Sequence, residues 1–111
     1  MYTMYGIKNC DTVKKAMKEL ESKNIAFDFF DFKKEVPSKE KILEWKKAMG
    51  EWPVNTKGRT YKIIKDDFEA ATDAGKITLI TENLSAVKRP ILEKKGKVVC
   101  FGFDKTVYGE L

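Results

Sequence analysis

A change of hydrophobic period around residue 10 constrains this chain more than any other feature. Residues 2–7, YTMYGI, are aromatic and β-branched and predict a strand. From Asp11 the pattern turns helical. Val13, Ala16, Met17 and Leu20 recur at i, i+3, i+4 and i+7, with Lys14, Lys15, Lys18 and Glu19 around them. An amphipathic helix is expected there, ending near residues 22–24 with Asn24 as its cap. FDFFDF at 27–32 is short and aromatic, which predicts a second strand, mostly buried. Strand, helix and strand within about thirty residues make a βαβ unit, and its two strands should be parallel.

Pro37-Ser38 opens the next helical pattern, with Ser38 as N-cap and Glu40 in the first turn. Ile42, Trp45 and Met49 form its apolar side, and Gly50 is placed to end it. WPVNTKGRTYK, 52–62, should begin as a loop. Residues 61–73 and 76–84 suit two more helices, although the β-branched run KITLI equally fits a strand. RPILEKK and KVVCFGF meet at Lys95-Gly96, the signature of a tight antiparallel hairpin. Asp104 then caps a last helical turn toward Leu111. The expected fold is α/β, in the order β-α-β, a helical insertion over about 38–84, then β-β-α. This is the order of a thioredoxin-like (glutaredoxin-like) domain with a four-stranded mixed sheet, spanning 1–111 as one domain. A chain of this length supports one main core.

Composition narrows the chemistry. Histidine is absent, which removes Ser-His-Asp and Cys-His catalysis; with only two isolated cysteines, no metal site is expected. No glycine-rich phosphate loop occurs. The formal charge is +5, and of 22 basic residues only Arg59 and Arg89 are arginine. Lysines interleaved with acids read first as a solvated surface, with an anion-binding or nucleic-acid-binding face as the alternative. Arginine's planar fork suits oxyanions better than lysine, so the two arginines stand out. No apolar run approaches the roughly 20 residues that cross a bilayer, and the N-terminus lacks a secretory pattern. A cytoplasmic monomer with reduced thiols is the expectation.

Cys10 stands where strand gives way to helix. The first N–H groups of a helix lack intrahelical partners and favour an adjacent anion, so a thiolate there is stabilised. Lys8, Lys14 and Lys15 add positive potential and Asp11 opposes it. The residues alone leave open both a nucleophile and an inert packed cysteine. Cys100, inside the apolar run KVVCFGF, reads as core, and no spacing recommends a disulfide between the two. Arg89 precedes Pro90, and X-Pro bonds are where cis peptides occur, at about 5–6% in folded proteins.

Three stretches become specific when taken together: N9-C10-D11-T12 before the first helix, N55-T56-K57-G58-R59-T60 in the middle, and K88-R89-P90-I91-L92 before the hairpin. In this order they resemble the arsenate reductase-like family, which includes glutaredoxin-coupled arsenate reductases, YffB-like proteins and Spx regulators. The likeness covers essentially the whole chain and is strongest toward the YffB-like branch, through GIKNCDT and NTxGxTY.

The resemblance implies a thioredoxin-like fold, a cis Pro90, Cys10 as nucleophile and Arg89 as the arginine facing it. Asn9, Thr12, Lys57, Arg59 and Pro90 become candidate substrate-binding residues. No bound cofactor is implied; glutathione or another thiol serves as co-substrate. The expected partners are a small-molecule or protein thiol or disulfide, with glutaredoxin or thioredoxin as further candidates. Neither membrane nor direct nucleic acid is expected. The alternative is an Spx-like regulator that binds RNA polymerase without turnover. Spx proteins commonly carry a CxxC switch, whereas C10-D11-T12-V13 has valine at the fourth position. Lys57 stands where the family often has arginine. Phe101 stands where arsenate reductases tend to carry another, which counts against arsenate binding.

Overall fold

Alternating side chains of β1 (Tyr2–Gly6) feed both faces of a four-stranded sheet whose order is β2-β1-β3-β4. The computed structural model describes residues 1–111. Its chain divides into two compact units, one made of Met1–Glu35 with Arg89–Leu111 and the other of Val36–Lys88.

In the first unit, β1 pairs in parallel with β2 (Phe27–Asp31) and antiparallel with β3 (Ile91–Lys94), and β3 pairs antiparallel with β4 (Lys97–Phe101). The parallel βαβ pairing and the hairpin both follow the sequence pattern. At the hairpin, Lys95 and Gly96 have φ of 53° and 80°. These left-handed angles suit the twist of a tight two-residue turn.

The register aligns Phe29, Met4, Leu92 and Cys100 in one row across the sheet. Helix α1 (Asp11–Ser22) lays Val13, Ala16 and Leu20 over that row, and the C-terminal helical turn at Lys105–Gly109 contributes Tyr108. Met4, Val13, Ala16, Leu20, Leu92 and Tyr108 are fully buried. The i, i+3, i+7 spacing of the α1 residues is what places all three on the sheet-facing side. Cys100 belongs to this core, as its apolar setting indicates. Its Sγ donates to the Gly102 carbonyl at 3.3 Å.

β2 departs from expectation. It was expected to be mostly buried, but it forms the sheet edge, and its residues are half-buried or exposed. Its aromatic content serves packing along the edge instead. The Phe30 ring lies 5.0 Å from that of Tyr5 and 6.1 Å from that of buried Phe32. Asp28 and Asp31 break the apolar run, as edge strands require if they are not to recruit another strand.

The second unit is helical. In α2 (Lys39–Met49), Ser38 Oγ accepts from the Lys41 N–H at 3.1 Å, and Gly50 closes the helix at φ 81°. That left-handed angle is where glycine carries no Cβ penalty. α3 (Arg59–Ala70) starts two residues earlier than the periodicity suggests, and α4 (Asp73–Glu82) three residues earlier. The reason in α4 is Thr72, whose hydroxyl accepts from the Gly75 N–H at 3.2 Å and so caps the helix upstream of its apolar run. KITLI is therefore helical. Buried Trp45, Ile42, Tyr61, Ile64, Phe68, Ile77 and Ile80 come from these three helices. The loop between α2 and α3 is tied to the C-terminal end of the unit by a bridge between Val54 and Val87. The Asn55 N–H donates to Ala86, and the Lys88 N–H to Pro53. The chain then enters β3, β4 and α5 (Lys105–Gly109), where Asp104 accepts from Thr106 and Val107 as expected. No helix is long and apolar enough to cross a membrane.

Gly6 closes β1 where the strand meets Val13 of α1 and the Pro90 turn. A Cβ there would lie 3.0 Å from Val13 Cγ2 and 3.9 Å from the Pro90 Cα. Valine on a helix has one strongly preferred χ1, so it cannot swing aside. Gly6→Ala is expected to destabilise the protein by about 1–3 kcal/mol. Adding Val13→Ala should recover part of that loss, a coupling that a urea-unfolding double-mutant cycle measures directly.

Candidate active site

Cys10 is the N-cap of α1. Its backbone is extended (φ −104°, ψ 128°) while its carbonyl already accepts from the Lys14 N–H at 2.9 Å. The residue therefore faces the open end of the helix. Its own N–H donates to Ile7 at 3.2 Å across the turn between β1 and α1. Serine, threonine or aspartate is usual at such a position because an oxygen there satisfies a first-turn amide. Here a sulfur takes that place, half-buried, without the geometry of a side-chain cap bond.

Arg89 comes to the same point from the other segment of the unit. Its Nη2 is 4.0 Å from Cys10 Sγ, at the outer limit of a hydrogen bond to sulfur. The Arg89-Pro90 peptide is cis, as the resemblance implies, and Pro90 is fully buried. The Pro90 carbonyl accepts from the Gly102 N–H at 2.7 Å, which ties this turn to the end of β4. The guanidinium is thus placed by backbone pinned on both sides.

Burial pushes the Cys10 thiol up, but stabilisation of the anion outweighs it. The Val13 N–H acts most strongly, then the Arg89 guanidinium and the Thr12 N–H, and the thiol is left below the ordinary cysteine range. Since no sulfur-to-amide bond meets capping geometry, the two amides act on the thiolate chiefly as the partial positive charge of a helix N-terminus. The arrangement can hold a thiolate and present it to an electrophilic sulfur or other soft centre.

The structure brings Cys10, Arg89 and the Thr12 backbone together, with Pro90 shaping the turn. Asn9 is exposed in the turn before Cys10, and the Thr12 side chain is exposed in the first turn of α1. Lys57 and Arg59 belong to the other unit, where both are exposed and Arg59 is the first residue of α3. Sequence reasoning had no means of assigning a role to Val13, whose side chain is core while its N–H serves the thiolate. The signal was available only in the position of Cys10 as a cap. Both cysteines are free, and no group of histidine, cysteine and carboxylate side chains could hold a metal.

The sequence matches the ArsC family over residues 5–111. The chain belongs to the ArsC family. A solved structure of a protein named YffB is 34% identical, covers 99% of this chain and 97% of its own, and superposes with a TM-score of 0.87. The solution structure of an ArsC-related protein from Brucella melitensis is 36% identical, with a TM-score of 0.72 over 98% of this chain and 92% of that one. An uncharacterized protein of Haemophilus influenzae is 32% identical over 97% of this chain and 96% of its own length. These ArsC-family likenesses and the mixed four-stranded sheet agree on a thioredoxin-like α/β fold.

Two outcomes follow from the electrostatics. The alkylation rate of Cys10 against pH is expected to trace one ascending limb with its midpoint below that of a free thiol. Arg89→Ala should move that midpoint up, and Arg89→Lys should move it less. The second outcome concerns stability. A thiol lowered on folding contributes stability only once ionised, so its contribution is absent at low pH. It appears as pH rises through the folded-state value and is complete above the unfolded-state value. The stability difference between wild type and Cys10→Ser should widen with pH across that window, as thermal or urea unfolding would report.

Proposed function

We propose that this ArsC-family protein is a thiol-dependent reductase that works through the single nucleophile Cys10. The observation that carries this reading is the Arg89 guanidinium 4.0 Å from a sulfur seated at the N-terminus of α1. An inert core cysteine needs neither a helix N-terminus nor a guanidinium beside it.

The reaction we assign is thiol-disulfide exchange. The Cys10 thiolate attacks one sulfur of a substrate disulfide, forming a Cys10 mixed disulfide and releasing the other half as a thiolate. A second thiolate from glutathione or an equivalent thiol attacks the substrate sulfur. Cys10 is regenerated as a thiolate, and the external thiol leaves joined to the substrate as a disulfide. Each step breaks one sulfur–sulfur bond and forms another. At this point one half of the substrate has left as a thiolate and the other is still bonded to the external thiol. A second external thiolate attacking that external sulfur frees the remaining half, so that the substrate disulfide is reduced and two external thiols are oxidised to one disulfide. Arg89 stabilises Cys10 as attacking group before the first step and as leaving group after the second.

The resolving thiol is external because the chain has none to offer. Val13, four positions into the C10-D11-T12-V13 stretch, is fully buried, and Cys100 is core. Thioredoxin or glutaredoxin could supply the same chemistry as glutathione. Arsenate fits less well, since Phe101 is half-buried at the end of β4 and brings no charge.

Turnover of a small-molecule disulfide in the presence of glutathione tests the reading. Wild type is expected to be active, and Cys10→Ser to lose activity to background while keeping its circular dichroism and melting temperature. Arg89→Ala should retain a fraction of the rate, recovered as pH is raised. A Cys10→Ser variant with undiminished turnover would sink the proposal. An inactive wild type that captures RNA polymerase subunits equally well with and without Cys10 would favour the regulator instead.

A further inference from the structure

The Val36–Lys88 unit carries a pocket of about 340 Å³ whose floor and rim differ in character. Its floor and walls include Trp52, Tyr61 and Phe68, and its rim carries Asn55, Lys57, Lys88 and Glu51. The volume lies in the small-molecule range, and aromatic walls with a few polar groups are the usual make-up of such sites.

The aromatic wall is held in place from within the unit. The Phe68 ring packs edge-on against Trp52 at 6.1 Å and against Tyr61 at 5.8 Å. Phe68 and Tyr61 are buried on α3, whereas Trp52 remains half-exposed. The only other tryptophan, Trp45, is fully buried elsewhere in the unit and does not line the pocket.

The rim is equally well built. Asn55 Oδ1 accepts from the Lys57 N–H at 3.2 Å, a local turn that fixes the backbone of Lys57. A Cβ on Gly58 would fall 3.1 Å from Asn55 Nδ2, so glycine there is what lets the amide lie against the chain. The backbone of Lys88 is pinned by its bond to Pro53 and by the Val54–Val87 bridge beside it. Lys46 adds a further cation, with Nζ 4.6 Å from the centre of the Trp52 ring. α3 begins beside the pocket with Gly58 as cap and no side chain on its first-turn amides, so its positive end is not neutralised by a capping oxygen. Against these stands one carboxylate on the rim, Glu51. The balance is positive over an apolar floor.

We propose that this pocket is a binding site for a small anion with a flat apolar body, its carboxylate against Lys57 and Lys88 and its body on Trp52 and Phe68. Cys10 is not among the residues that line it, so the proposal does not rest on the thiol chemistry above.

Naphthoate is a suitable probe, with the uncharged naphthamide as its isostere, titrated into the full-length protein and followed by amide and indole NMR shifts. Saturable shifts are expected at the Trp52 indole and at the Asn55, Lys57 and Lys88 amides. The Lys57→Glu, Lys88→Glu double variant and the naphthamide should each bind about tenfold or more weakly, and Cys10→Ser should bind as wild type does. Lys57→Ala, Lys88→Ala, a milder change at half-buried or exposed positions, guards against loss of fold and should also weaken binding. Shifts that fail to saturate or fall on other residues would overturn the site. Equal binding of naphthamide would overturn the anionic class, and loss of binding in Cys10→Ser would overturn its independence.

Discussion

The close approach of β1, α1 and the Pro90 turn is the constraint on which the rest of the first unit depends. Gly6 has no side chain because Val13 Cγ2 occupies the space a Cβ would need. With β1 and the first turn of α1 pressed this tightly together, Cys10 has only one place to be, the cap position over the open helix end. Pro90 fills the other side of the same crowded point and delivers Arg89 to the sulfur. The chemistry is therefore a consequence of packing. A looser junction would leave the same residues present, but the amides and guanidinium would no longer converge on one atom.

The charge opposing burial comes from groups that do not titrate near neutrality. Peptide amides carry a fixed dipole, and the guanidinium fork adds a positive charge beside the sulfur. The chain has no histidine, so Cys10 has no imidazole partner. The Cys10 thiol is then not one half of a coupled imidazole pair. This distinguishes the site from cysteine-histidine pairs, whose two protons are coupled and whose activity rises and falls over a pH window.

Much of this was legible in the residues, for local reasons. Period change marks the start of α1, Ser38 and Asp104 announce their caps, and Lys95-Gly96 announces a hairpin; each is decided within a few residues. Cys10 at a helix start followed from the same local evidence, but its partner did not. Arg89 lies 79 residues away along the chain, and only the resemblance suggested that the two meet. The edge position of β2 was hidden because strand order is settled by long-range pairing, and an aromatic strand looks the same at an edge or in the middle. Thr72 was missed because its helix begins before its apolar pattern does. The pocket was invisible for a similar reason. Trp52, Asn55, Phe68 and Lys88 lie in a loop, a helix and a bridging segment, and no periodicity connects them.

The division of the chain separates two kinds of demand. The first unit assembles its core from Met4, Val13, Leu20, Leu92 and Tyr108, drawn from both ends of the chain, and it contains both Cys10 and Arg89. The second unit is a continuous segment that leaves after β2 and returns just before Arg89, and the Val54–Val87 bridge ties the loop between α2 and α3 to its C-terminal end. The residues that line the pocket all lie within this segment, and none belongs to the four-stranded sheet. A thiolate held by converging amides and a guanidinium needs sub-ångström constancy, whereas a binding pocket tolerates variation. The first demand falls on the sheet-and-helix unit, and the second, on the reading proposed above, falls on the continuous helical segment.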